Sequence, residues 1–240
     1  MDLSIVIPAL NENKKITQDV RSAADFLLKN NFTGEIIVVD DGSADNTADV
    51  AESVEMPPNI PLRVMRSEVN RGKGHAVRIG IKSTRGDYVM FADSGNCVPY
   101  EDALRGLDML RNGECEIAHG SRKMAGTHIL KSQNIYRRIC SRFFHWLMLH
   151  FMAIPVRFTD TQCGFKIYRG DVGRNLYGQC VVNGFMFDIE TIIRAGKSGY
   201  RIEEFPVDWT NDRDSRLSPL RCSWELLREL ILIKHIFIFK

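Results

Sequence analysis

Through its first 120 residues the chain repeats one pattern. A short run of β-branched and aliphatic residues leads into a polar or glycine-rich turn, and apolar positions at helical spacing follow. Apolar runs of about 4–8 residues bounded by turns read as strands, and strands alternating with helices read as a parallel sheet wrapped by helices. The runs place strands at Leu3 to Ile7, Glu35 to Val39, Leu62 to Met65, Asp87 to Ala92 and Glu116 to His119. In open α/β sheets ligands collect at the carboxyl ends of the strands, so the turns after these runs are where chemistry is expected.

Beyond residue 120 the alternation breaks. A basic and aromatic helical stretch runs from Lys131 to about Ala153, followed by a short strand near Gly164 to Tyr168 and a helix around Asp188 to Ala195. A strand at Arg201 to Phe205 and an amphipathic helix from Pro219 complete the chain. The proline-rich Met56 to Pro61 reads as a loop rather than a boundary. With no internal repeat and no linker, the expectation is one α/β domain over residues 1–240, with 1–120 forming one half of the site and 121–240 the other.

Composition narrows the choice of partner. The 32 Lys and Arg against 30 Asp and Glu leave a formal net charge of +2, too small for capture of nucleic acid, so charge acts here only through local clusters. The cysteines Cys97, Cys115, Cys140, Cys163, Cys180 and Cys222 form neither a C-x-x-C pair nor a zinc spacing. They read as reduced cytosolic thiols. Apolar residues 3 to 10 follow no basic segment and turn polar at Asn11, which fits neither a signal peptide nor a membrane span of about 20 residues.

Four turns carry candidate chemistry. The first strand ends in Pro8-Ala9-Leu10-Asn11-Glu12 and the second in Val39-Asp40-Asp41-Gly42-Ser43. Adjacent carboxylates ahead of a glycine turn place acceptors where a base or ribose docks, although strand termination and helix capping would use the same residues. The third turn, Asn70-Arg71-Gly72-Lys73-Gly74, puts glycines and cations ahead of a helix, an arrangement suited to a diphosphate at the helix N-terminus. The fourth strand delivers Asp93-Ser94-Gly95-Asn96, whose carboxylate is what a divalent cation near a diphosphate would use.

Taken in order, these turns resemble family 2 glycosyltransferases of the GT-A fold. The likeness continues through Gly120-Ser121-Arg122, Asp160-Thr161-Gln162-Cys163-Gly164-Phe165-Lys166, Phe187-Asp188-Ile189-Glu190 and Val207-Asp208-Trp209-Thr210. It is similar there to the branch that holds the dolichyl-phosphate glucosyl- and mannosyltransferases. The resemblance implies a GT-A, Rossmann-like, mostly parallel sheet flanked by helices, with amphipathic interfacial helices in the C-terminal half. It implies that Pro8, Leu10, Glu12 and Asp41 surround the base and ribose of a nucleotide sugar, that Lys73 lies near this donor, and that Asp93 contacts the diphosphate and Mg2+ or Mn2+. The family pattern has a second acid where this chain has Gly95, which leaves Ser94 or Asn96 as a neutral oxygen ligand.

From Ser121 to Phe158 the chain carries seven cations, Arg122, Lys123, Lys131, Arg137, Arg138, Arg142 and Arg157, and no Asp or Glu. Beside them runs the apolar Phe143 to Met152 segment. A cationic helix with a Trp/Phe/Leu face suits the surface of an anionic bilayer, where each basic residue contributes about 1 kcal/mol. The alternative is a core helix with solvated arginines. The final run, Trp224 to Lys240, reads as a packing helix, a second interfacial helix or an oligomer contact. Arginine forks suit phosphate, and the candidates are Arg122, Arg138, Arg213 and Arg216. In the resembling enzymes the arginine after Gly-Ser and the basic loop beyond the last strand face the acceptor phosphate.

The expected reaction moves a hexose, from UDP by the nearer resemblance, onto a polyprenyl phosphate at the cytosolic face of a membrane, with inversion. The acids expected beside it are Asp93, Asp160, Asp188 and Glu190, with Asp160 orienting or deprotonating the nucleophile. The plain alternatives are that Asp160 caps the following turn and that Glu190 pairs with a neighbouring arginine. Two rival functions stand beside this one: extension of a soluble or lipid-linked saccharide, and a catalytically silent membrane-associated partner subunit suggested by Gly95.

Overall fold

The computed structural model describes residues 1–127, 129–131, 158–210 and 219–238. The basic segment expected to form an interfacial helix, residues 132–153, lies outside the described residues together with Arg138, Arg213 and Arg216. Lys131, expected to open that helix, is instead the last residue of a short strand.

Strands β1 (Leu3–Ala9), β2 (Gly34–Asp40), β3 (Leu62–Arg66), β4 (Tyr88–Ala92), β5 (Ile117–Ser121), β7 (Phe165–Arg169) and β8 (Ile202–Pro206) form one sheet. Its order is β3-β2-β1-β4-β7-β5-β8. A small second sheet pairs β6 (Ile129–Lys131) with β9 (Trp209–Thr210). The expected strands all appear, each extended or shifted by one or two residues. In the large sheet only β7 runs against its neighbours, antiparallel to both β4 and β5. The remaining pairings of that sheet are parallel.

Helices α1 (Ile16–Lys29), α2 (Thr47–Glu52), α3 (Lys73–Lys82), α4 (Ala103–Arg111), α5 (Gly170–Gln179), α6 (Phe187–Lys197) and α7 (Pro219–Ile238) accompany the sheet. Because the sheet is covered on both faces, its central strands are apolar on both. Ile5 and Ile7 of β1 join the core beneath α1 and α4, while Val6 joins the core beneath α3, α5 and α6. Ile36 and Val38 divide from Ile37 and Val39 in the same way on β2. Strand alternation thus splits one apolar run between two cores.

The chain moves outward from β1 through β2 to β3, then crosses back to place β4 on the other side of β1. The reversal opens a crevice at the carboxyl ends of β1 and β4, the place where such sheets bind ligands. Strand β7 then wedges in beside β4 and brings the residues before Phe165 to that same edge, with Asp93 N donating to Gly164 O at 2.9 Å.

Helix α7 packs beside α6, with Arg194 and Lys197 over the Phe237 ring. Leu230 and Ile233 are buried in the core shared with α3, α5 and α6, and Leu226 and Phe237 pack against it. Leu227, Ile231 and Leu232 on its outer side remain exposed. Among the described residues no helix is long and apolar enough to cross a membrane.

If α7 belongs to the cooperative unit, removing the fully buried Ile233 side chain should cost about 2–5 kcal/mol, the usual range for emptying a core position. Urea unfolding of Ile233→Ala measures this. An unchanged midpoint would mean that α7 is not part of the folding unit.

Candidate active site

The turns after β1 and β2 are stitched together. Asn11 N donates to Ser43 Oγ at 2.7 Å, Ala44 N to Asn11 Oδ1 at 2.6 Å, and Glu12 N to Thr47 Oγ1 at 2.7 Å. Asp41 N donates to Ala9 O at 2.9 Å. Pro8, Leu10, Glu12 and Asp41 therefore lie together at the carboxyl ends of β1 and β2. The Glu12 carboxylate lies 3.6 Å from Lys15 Nζ.

Asp41 is nearly enclosed and faces the third turn, where Arg71 N and Gly72 N donate to its carboxylate, the latter at 2.6 Å. Burial pushes its carboxyl up, against the pull of those two amides. Further into the turn, Gly74 N donates to Gly184 O at 3.2 Å and His75 N to Asn183 O at 3.0 Å. These amides were expected to cradle a diphosphate; they are already satisfied by protein oxygens, so the helix N-terminus is not an open anion site. Of the turn's two cations, Arg71 is exposed and Lys73 reaches the end of β4.

Lys73 Nζ sits 2.6 Å from Asp93 Oδ1 and donates to Oδ2 at 2.8 Å. Burial works against the Lys73 charge, but Asp93 and Asp188 outweigh it and push its pKa up. Asp188, at the start of α6, accepts from Lys166 Nζ at 2.7 Å, and the same ammonium donates to Cys163 O at 2.7 Å. Both partners are almost completely buried. Burial pushes the Asp188 carboxyl up, opposed by Lys166 and Lys73.

A third pair stands at the end of β5. Arg122 Nε and Nη2 donate to Asp160 at 2.6 and 2.9 Å, and the guanidinium lies 5.5 Å from the Trp209 ring centre. Glu204 fixes the loop beneath, accepting from Thr159 N at 2.7 Å and Asp160 N at 2.8 Å. Burial would raise the Asp160 carboxyl, but Arg122 holds it well below the usual carboxylate range. Asp160, expected to orient or deprotonate a nucleophile, is here engaged with Arg122, whose fork it aims.

Glu190, expected beside the reaction, has the arginine partner that its plain alternative named. It is fully buried, accepts from Val181 N, from Val182 N at 2.8 Å, and from Arg194 Nε and Nη2 at 2.9 and 2.7 Å. Those contacts make it a structural brace of α6. Asp93, Asp188 and Asp160 are the acids that the fold brings to one cluster, each with its own cation.

The position of the missing second acid has a structural explanation. Gly95 adopts φ +93 and Asn96 φ +46, a left-handed turn that glycine enters without strain. Gly95 N donates to both carboxylate oxygens of Asp19 at 2.9 Å, and Asn96 Nδ2 donates to Ser22 Oγ at 3.1 Å. The acid in this region thus comes from α1 and is spent on backbone, and the Asn96 amide is turned toward α1. For a divalent ion the turn offers the Asp93 carboxylate and the Ser94 hydroxyl. That set fits an ion that also takes phosphate oxygens and water, as magnesium does, and does not fit a cage built from protein alone. Among the described residues no three His, Cys, Asp or Glu side chains converge as a metal cage.

Sequence reasoning had not assigned roles to Lys166, Asp19, Glu204 or Glu229. A signal existed for Asp19, an acid three residues after Ile16 and four before Ala23 on the apolar face of α1. Glu229 on α7 accepts from Gly184 N at 2.7 Å and Met186 N at 3.1 Å, so it holds the segment whose carbonyls hold the Lys73 turn. Nothing local in the sequence marks it.

A family model for glycosyl transferase family 2 matches residues 4–173. The chain is similar to the dolichyl-phosphate beta-glucosyltransferase of Homo sapiens, 31% identical over 243 residues that cover 97% of this chain and 74% of that protein. It is also similar to the protein of the same name from Drosophila melanogaster, 32% identical over 247 residues, covering 97% and 74%. Among solved structures, glucosyl-3-phosphoglycerate synthase from Mycobacterium tuberculosis, in complex with Mn2+, UDP and glucosyl-3-phosphoglycerate, has a TM-score of 0.72 at 21% identity. That match covers 98% of this chain and 78% of the other, and it supports the GT-A fold.

Two outcomes follow from the contacts. Burial raises the Asp19 carboxyl to about 6, against the Gly95 and Asn96 amides that lower it. A folded pKa above the unfolded value means that the native state holds its proton longer, so stability falls as pH rises from about 4 to about 6. Relative to Asp19→Asn, the loss should reach about 3 kcal/mol, read from urea unfolding across that range; a pH-independent difference would refute it. Separately, Glu229→Ala should raise KM for the donor about tenfold through the loosened Lys73 turn, with the acceptor KM unchanged and Glu229→Gln milder. Equal effects on both substrates would point to general loosening instead.

Proposed function

The chain belongs to glycosyl transferase family 2 and is a glycosyltransferase, and we propose that it moves glucose from UDP-glucose to a polyprenyl phosphate of the dolichyl type. The observation that carries the reading is the clustering of charged groups at the carboxyl ends of β2, β4 and β5 and at the start of α3. There Asp41 lines one side, Lys73 and Asp93 form the middle, and the Arg122–Asp160 pair lies within electrostatic reach of them. The names of the curated relatives, which match 97% of this chain, support transfer of glucose to a dolichyl-phosphate acceptor.

In this reading Pro8, Leu10, Glu12 and Asp41 hold the base and ribose, and Lys73 and Asp93 hold the diphosphate end of the donor. A Mg2+ or Mn2+ ion at Asp93 would neutralise charge on the departing nucleoside diphosphate. Arg122, aimed by Asp160 and stacked on Trp209, receives the acceptor phosphate, with Arg138, Arg213 and Arg216 as further cations for it. A phosphate monoester with a second pKa near 6 is largely dianionic at neutral pH and needs no strong base. That suits a site whose acids are all paired. The task left to the protein is to align a phosphate oxygen behind the anomeric carbon and exclude water, which is positioning and electrostatics. Displacement from behind inverts that centre.

The whole chain forms the transferase domain, and its two halves meet in the site: residues 1–120 supply Asp41, Lys73 and Asp93, and residues 121–240 supply Arg122, Asp160, Lys166 and Asp188. A lipid acceptor brings the enzyme to the cytosolic face of a membrane as a peripheral protein. The acid-free Ser121 to Phe158 stretch supports contact with an anionic bilayer.

Purified protein with polyprenyl phosphate and a panel of UDP- and GDP-sugars should turn over UDP-glucose, and only when the lipid phosphate is present. Turnover with a free sugar acceptor instead would reject the lipid assignment. Arg122→Lys keeps a charge for buried Asp160 but loses the fork, and it should raise KM for lipid phosphate about tenfold while the donor KM stays put. An unchanged lipid KM would remove Arg122 from the acceptor site.

A further inference from the structure

Asp93 already carries a cation. Lys73 Nζ covers both of its oxygens, at 2.6 and 2.8 Å, in a half-buried pair. The second acid position is lost twice over, since Gly95 has no side chain and its amide is taken by Asp19. A divalent ion approaching this turn alone finds one carboxylate, and finds it occupied.

The surrounding charges sharpen the point. Lys73 with Asp93, Lys166 with Asp188 and Arg122 with Asp160 are three ion pairs within mutual electrostatic reach, so the cluster is close to neutral. A bare divalent ion would add uncompensated positive charge and would have to push Lys73 off Asp93. The displaced ammonium would find Asp188 already paired with Lys166. A nucleoside diphosphate alone would add uncompensated negative charge. The two together nearly cancel, and the diphosphate oxygens give the displaced Lys73 ammonium a new partner.

We propose that Lys73 is a latch on Asp93: it closes the carboxylate to metal in the empty enzyme and transfers to the diphosphate when nucleotide arrives, so that metal and nucleotide bind as one event. This rests on the donor site assigned above. It makes metal affinity and nucleotide affinity reciprocal, each raising the other by the same factor. It also gives Gly95 a consequence, because a second carboxylate there would hold metal without nucleotide.

The test is Mn2+ binding, followed by electron paramagnetic resonance of the free ion and corrected for the Mn2+ that nucleotide holds in protein-free solution, together with nucleotide binding by equilibrium dialysis, with the wild-type chain, Lys73→Gln and Lys73→Arg, each with and without UDP or GDP. The wild-type chain should bind Mn2+ at least about tenfold more tightly with nucleotide than alone. Lys73→Gln should bind Mn2+ alone about tenfold more tightly than wild type, with the nucleotide dependence reduced, and Lys73→Arg should restore the wild-type pattern. The latch is overturned if wild type binds Mn2+ equally with and without nucleotide, or if Lys73→Gln gains no affinity for Mn2+ alone. Nucleotide binding with no Mn2+ bound in any variant overturns the latch and leaves the donor site standing. Failure to bind either nucleotide under all conditions overturns both.

Discussion

The site depends on one close approach, that of the Asp93 carboxylate to the backbone of Gly164. A Cβ built on Gly164 would lie 2.0 Å from Asp93 Oδ2, so no other residue fits there without moving the acid. The contact exists because β7 runs antiparallel between β4 and β5 and delivers its leading loop to the carboxyl end of β4. The same loop carries Asp160 to Arg122 and the same strand carries Lys166 to Asp188. One reversed strand therefore sets the geometry of all three acid–cation pairs.

Pairing every acid has a chemical consequence. A buried carboxylate without a partner would neutralise itself, whereas a paired one stays charged and fixed in direction. Asp160 is the clearest case: both of its oxygens accept from the Arg122 guanidinium and fix its direction. Fixed dipoles and charges that need not rearrange during a reaction are what a phosphate nucleophile and a phosphate leaving group require. A site built this way suits an acceptor that arrives already ionised better than one that must lose a proton.

The donor edge is supported from farther away than its own turn. Glu229 of α7 holds Gly184 and Met186, the Asn183 and Gly184 carbonyls hold the amides of Gly74 and His75, and Asp41 holds those of Arg71 and Gly72. Lys73 stands in the middle of this chain of contacts. The C-terminal helix thus buries Leu230 and Ile233 in the core while its carboxylate steadies the turn that presents the lysine.

Local chemistry made much of this legible in advance. The apolar runs at Leu3, Glu35, Leu62 and Asp87 located the strands because the central ones are buried and mostly apolar on both faces, and the ordered series of turns pointed to the strand ends where Asp41, Lys73, Asp93 and Arg122 stand. What the sequence could not contain was which partner each charged group would meet. Glu190 and Asp160 look alike as acids in a family motif, yet one braces α6 and the other aims an arginine. Lys73 looked like one cation beside an open helix end, until the 183–184 carbonyls were found closing that end. Partners such as Asp19 with Gly95, or Glu229 with Gly184, lie tens of residues apart, and no spacing rule links them. Strand positions and residue chemistry are local properties and were written in the chain; pairing depends on how the reversed strand and the last helix fold back, and only the tertiary structure decided it.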